Sequence, residues 1–262
     1  MALPTPIRRL PAILLALSAT AAWALDCPAR IRMAYMDAPA EPFFLGRGTV
    51  GEPPGLFVDW ALQALAATGC NSRVELARLP VARLDKALSE GDLDIVLGVA
   101  STSEREQTQA FPGRHGKRLL YVARADIALY TALGDRLVWS GQTRELKGYK
   151  VGVARAQMPA NLAASQGWAL ELAPDNASNF RKLESGRVQV LLETSILADP
   201  YFQAHPLPGI RKLNPPLATL EYYAPASRSF QRDFPAFTEQ FWLQLCRQSR
   251  TVLRELPACN AG

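Results

Sequence analysis

The sequence predicts an α/β protein of two lobes joined by two extended crossovers. Three observations carry this. Strand-like and helix-like segments alternate, the pattern of α/β folds with largely parallel sheets. The alternation runs twice, over 31–99 and again over 150–213. Two extended stretches rich in β-branched or aromatic residues, 119–133 and 218–226, lie where the chain would pass between the two series.

Each element has a local reason. Residues 31–36 (IRMAYM) read as a strand, and 56–68 as a helix with apolar side chains at helical spacing, ended by Gly69. Residues 74–79 form the second strand, 81–89 a helix stopped near Gly91, and 93–99 an apolar, buried third strand. Ser101 with Glu104, and Ser103 with Glu106, fit capping boxes, so a short helix begins there. In the second series, 150–154 is a strand, and 159–165 a helix whose Pro159 sits in the tolerated first turn. Residues 168–172 are a strand, 176–184 a helix ended by Gly186, and 188–192 a strand. Asp199-Pro200 is expected to interrupt the next helical stretch, and 210–213 reads as one more strand. A final helix spans 230–256 and begins in earnest at Pro235, with Phe237, Phe241, Trp242 and Leu245 on one face.

The balance of 48% apolar, 8% aromatic and 20% charged residues over 262 positions excludes collagen-like, coiled-coil and disordered classes. Residues 1–24 read as a secretory signal. Arg8-Arg9 precede an apolar stretch, and Ala22-Trp23-Ala24 gives a small-residue cleavage site before Leu25. The stretch is shorter than the roughly 20 residues a membrane anchor needs. Asp26 puts a charge before Cys27 where a lipoprotein signal takes a small residue, so a soluble periplasmic protein is expected. Without the leader, 27 basic residues stand against 24 acidic ones, with no Lys/Arg run, which gives no reason to invoke nucleic acid.

Four cysteines follow the leader. In an oxidising compartment an even count implies disulfides. If 31–36 and 74–79 are adjacent parallel strands, their starts lie side by side. Cys27–Cys70 is then the natural pair, and Cys246–Cys259 pins the tail to the last helix. Zinc is disfavoured because no CxxC spacing exists and the histidines are only His115 and His205. No cofactor is expected.

Six stretches, in order, resemble the family 3 solute-binding proteins, periplasmic receptors of ABC importers for amino acids and related molecules. They are DAPAEPF (37–43), GLFVD (55–59), 83–94 from Arg83-Leu84 to Leu93-Asp94, GVASTSER (98–105), LKGYKVGV (146–153) and Gly186-Arg187-Val188. The resemblance implies the type II bilobal, hinged periplasmic-binding-protein fold. Lobe 1 would take 25–123, lobe 2 124–221, and 222–262 would return to lobe 1. It also implies a small-molecule ligand, carboxylate-bearing, in the cleft between lobes, and a monomer that meets a membrane ABC permease or a sensor receptor.

The resemblance further implies site residues. Arg105 matches the arginine that clamps a ligand carboxylate, which its planar fork suits. Thr102 matches a threonine of the same loop, Asp37 an aspartate near the pocket and Phe43 a wall aromatic. Arg83 is a second candidate anion contact, and Gln157 falls where the second lobe offers a donor. The family's amine-binding aspartate aligns with Thr194, beside Glu193. Either Glu193 substitutes for that aspartate or the ligand is not a standard α-amino acid, and Ala100 in place of a serine and Val81 in place of a large aromatic also bear on the ligand class. Cyclohexadienyl dehydratases share this fold, and Glu193 is the candidate acid for such chemistry. The expectation nevertheless is binding without catalysis.

Overall fold

Strand β1 (Arg30–Met36), helix α1 (Leu56–Ala67) and strand β2 (Arg73–Leu79) form the first βαβ unit of a computed structural model that describes residues 25–38, 40–46, 48–112, 120–132, 134–155, 158–206 and 209–260. β1 and β2 run parallel in register from Arg30↔Arg73 to Met36↔Leu79. That register brings Cys27 to Cys70 at a Cα separation of 5.5 Å, and they are bonded as expected. α1 buries Phe57, Val58, Trp60, Ala61, Ala64 and Leu65, a helical stripe that faces the sheet and the last helix. Helix α2 (Val81–Glu90) follows Pro80 and stops at Gly91, whose φ of 80° provides the left-handed cap.

The single strand expected over 93–99 is two strands in two sheets. β3 (Ile95–Val96) pairs with β1, whereas β4 (Val99–Ala100) pairs with the returning crossover. Gly98 separates them at φ 72°, a conformation its neighbours could not adopt without strain. Helix α3 (Ser103–Thr108) follows, then β5 (Gln109–Ala110) and the long β6 (Ala123–Ala132).

A 3-10 turn at Thr143–Leu146 leads into β7 (Lys150–Ala154), α4 (Met158–Ser165), β8 (Ala169–Ala173), α5 (Asn176–Glu184) and β9 (Val190–Thr194). α6 (Ser195–Ala204) runs through Pro200 rather than breaking before it. Pro200 is the sixth helical residue, so only one backbone bond is forfeited there. β10 (Ile210–Lys212), β11 (Ala218–Tyr223) and β12 (Ala226–Ser227) precede two helices, α7 (Arg228–Asp233) and α8 (Pro235–Arg250). The last helix therefore ends six residues before the expected 256. Its tail is tied back instead, with Cys246 bonded to Cys259.

The first sheet has the order β2-β1-β3-β12-β5, and the second β4-β11-β6-β9-β7-β8 with β10 on β6. The βαβ units are parallel, as expected, while the crossovers add antiparallel pairs: β11 lies against β6 from Ala218↔Ile127 to Tyr222↔Ala123. α8 anchors both crossovers. The Arg250 guanidinium donates to the carbonyls of Tyr121 and Val122, and the Trp242 indole N–H donates to Ala224 O at 2.7 Å. Phe237, Phe241, Trp242 and Leu245 are buried in the core under the first sheet. The aromatics among them each contribute about 2–3 kcal/mol of burial. A second core, around Ile127, Leu129, Val151, Val153 and Leu192, lies under the second sheet.

Candidate functional site

Parallel strands end where their following loops diverge, and ligand crevices open at those ends. Here a cavity of about 140 Å³ is walled by Met36 at the end of β1, Val81 and Asp85 on α2, and 97–100 around the β3–β4 break. From the second series come Met158, Pro159 and Asn161 of α4, with Thr194, Ile196 and Leu197 where β9 turns into α6. Phe43, Phe44 and Phe57 make the floor. Phe44 stacks on Tyr35 and Phe57 with ring centroids 5.0 and 5.2 Å apart, which fixes an apolar, rigid surface. Ala100 and Val81, the two positions that depart toward smaller side chains, both line this cavity.

Arg105 lines the cavity wall and is paired. Its Nε donates to Asp85 Oδ1 at 2.9 Å and its Nη2 to Asp85 Oδ2 at 2.8 Å, a two-bond fork. Nη1 donates to Ala100 O at 3.0 Å, and the side chain is 18% exposed. Gln109, buried, adds a third bond, from its side-chain Nε2 to Asp85 Oδ1 at 3.2 Å. The open carboxylate clamp expected of Arg105 is thus occupied by the chain's own carboxylate. Thr102 is the N-cap of α3, its hydroxyl accepting from the Arg105 N–H, and Ser101 pairs with Glu106. The cap lies at Thr102, not at Ser101 or Ser103, because its backbone is extended at φ −135° and ψ 157°.

Asp37 turns away from the cleft. Its carboxylate accepts from the Gly48 N–H and pairs with Arg78 Nε at 3.4 Å. The Arg78 side chain is fully buried and donates to the carbonyls of Leu45 and Thr49, so this pair holds the loop after Phe44. Phe43 is wall and core together, tilted against Phe57 and edge-on to Trp60. Arg83 is exposed on α2 and stands off the wall, because Leu84 and Leu88 take the buried face of that helix. Gln157 lies outside the described residues, as do the leader and His115.

Glu193 is fully buried in β9, opposite Ala128 of β6. Its Oε1 accepts from the Thr194 N–H at 2.9 Å and the Thr194 hydroxyl at 3.0 Å, while Oε2 has no hydrogen-bond partner among the described residues. Burial pushes its pKa up to about 7, against the lowering effect of the Thr194 bonds. Thr194 lines the cavity and Glu193 sits behind it, so Glu193 is not placed to meet a ligand amine. Beside it Tyr222 lines the cavity, its hydroxyl pKa raised by burial and then by the Glu193 charge.

Sequence reasoning missed Asp85, Arg78 and Tyr222. Asp85 alone left a readable trace, an acid next to the buried-face residue Leu84 and one turn beyond the helix start. Its partner is twenty residues away, and nothing local names it.

No protein-family model and no curated protein matches the chain. Solved structures do match in shape. A histidine kinase sensor domain with similarity to periplasmic binding proteins superposes with a TM-score of 0.68 at 16% identity, covering 88% of this chain and 96% of that one. The GluR0 ligand-binding core in complex with L-glutamate gives 0.66 at 15% identity, covering 86% and 95%. The arginine-, lysine-, histidine-binding protein ArtJ from the thermophilic bacterium Geobacillus stearothermophilus gives 0.60 at 18% identity, covering 86% and 90%. These likenesses show the fold, which is the bilobal one of periplasmic binding proteins.

Proposed function

We propose that this chain is an exported solute-binding protein that takes a small molecule into the cleft and presents it to a membrane partner without chemical turnover. One observation carries the reading: a single cavity is walled by strand ends from both series, with the paired crossovers β6 and β11 between them. Closing such a cleft around a solute buries it, and the partner reads the closed shape. The matched structures of a glutamate-bound receptor core and an arginine-, lysine-, histidine-binding protein support a solute of amino-acid size. A carboxylate on that solute would have to compete with Asp85 for Arg105. The partner is an ABC permease, with a sensor receptor as the alternative. Both disulfides fit an oxidising compartment, and cleavage before Leu25 accounts for the route there.

Glu193 favours binding over dehydration chemistry, since the one near-neutral acid beside the cleft is enclosed behind Thr194. The test is thermal unfolding of the mature protein against amino acids, organic acids, amines, neutral amides and prephenate, with product analysis for prephenate. A saturable rise in Tm with one class and no product supports the reading. Prephenate turnover would replace it with an enzyme. Cross-linking in membranes identifies permease or receptor.

A further inference from the structure

We propose that Asp85 sets the ligand class of the cleft: it fills the fork of Arg105, so the cavity takes a small, uncharged, largely apolar molecule and turns carboxylates away. This rests on the reading that the cleft binds a solute.

The geometry is that of a built pair. Two parallel bonds of 2.9 and 2.8 Å join the guanidinium to Asp85, Ala100 O takes Nη1, and Gln109 Nε2 donates to the same carboxylate. Asp85 is therefore fixed by three donors on two elements. An incoming carboxylate would find the strongest binding edge of Arg105 filled and a like charge beside it. Around the pair the wall is apolar, with Met36, Phe44, Phe57 and Leu97. Charged ligands would be stripped of water there without a partner. Thr194 and Tyr222 supply the polar atoms that could orient a neutral group. The cavity of about 140 Å³ matches in size the roughly 150 Å³ apolar cavity that takes up benzene.

The experiment uses two matched pairs of probes, benzamide with benzoate and isobutyramide with isobutyrate. Binding is measured by calorimetry and by the side-chain Nε–H resonance of Arg105. Wild type is compared with Asp85→Asn, with Asp85→Ala as the second variant and Asp85→Asn/Arg105→Gln as the control. Expected is binding of the amides over their carboxylates by wild type. Both Asp85 variants should gain about tenfold or more in carboxylate affinity, the scale of one charge-assisted bond, and the control should lose that gain. Carboxylate affinity equal in wild type and both variants would overturn the proposal while leaving solute binding intact. Wild type that takes neither amide overturns the neutral-ligand class. If no probe binds any of the four proteins, the solute-binding reading fails with it.

Discussion

Glu193 sits in the middle of a sheet with one oxygen hydrogen-bonded to Thr194 and the other without a partner among the described residues, and this has a measurable consequence. Its pKa rises from 4.5 to about 7 through burial, so the folded protein holds a proton that the unfolded chain releases. Stability linked to that proton is complete below about 4.5, declines as pH rises and is gone above about 7. The decline should total on the order of 3 kcal/mol. Glu193→Gln keeps the shape and the acceptor toward Thr194, so its urea-unfolding free energy should lack that slope. Parallel profiles for the two proteins would contradict the assignment. Gly98 is the second residue with a sharp expectation. It has φ 72°, and a Cβ there would lie 2.6 Å from the Phe44 ring, which is itself stacked on both sides. Gly98→Ala should cost on the order of 3 kcal/mol from left-handed strain plus overpacking. A near-neutral denaturation midpoint would show that the floor can yield.

At the scale of elements, the disulfides report on topology. Cys27–Cys70 spans a separation of 43 residues across the β1–β2 crossover, and Cys246–Cys259 spans 13 at the end of α8. Chain entropy assigns them about 4 and about 3 kcal/mol. Replacing each pair by serines should lower Tm in both cases, more for the first. Four free thiols in non-reduced protein would refute the pairing. The helices and strands of the βαβ units were legible to within a residue or two, because amphipathic spacing and stop signals such as Gly91 are local. The failures came where a distant partner decides. Residues 95–100 are apolar throughout, yet β1 claims one half and β11 the other.

The whole molecule turns on how the lobes meet. Ile196 and Leu197, at the start of α6, are packed against the core beneath the first sheet while belonging to the second series. That contact joins the two sides of the cleft from within its wall. Leu197→Asp should separate the lobes, since a charge cannot remain in an apolar seam without a partner. The expected result is a larger radius of gyration by small-angle X-ray scattering with unchanged helical circular dichroism, and weaker solute binding. An unchanged radius would mean that the crossovers alone set the closure.

The sequence by itself determined the fold class, the two α/β series, the crossovers and the disulfide pairs, because each follows from periodicity, turn residues or strand order along the chain. Arg105, Phe43 and Thr194, named as candidates from the sequence, line the cavity. What those residues do was decided by the tertiary structure. Asp85 comes from α2 to meet Arg105 of α3, Arg78 comes from β2 to pair with Asp37 outside the cleft, and Thr194 stands between Glu193 and the cavity. A charged side chain takes its role from the nearest opposite charge and from the water it retains, and both are properties of three-dimensional proximity that no spacing along the chain encodes.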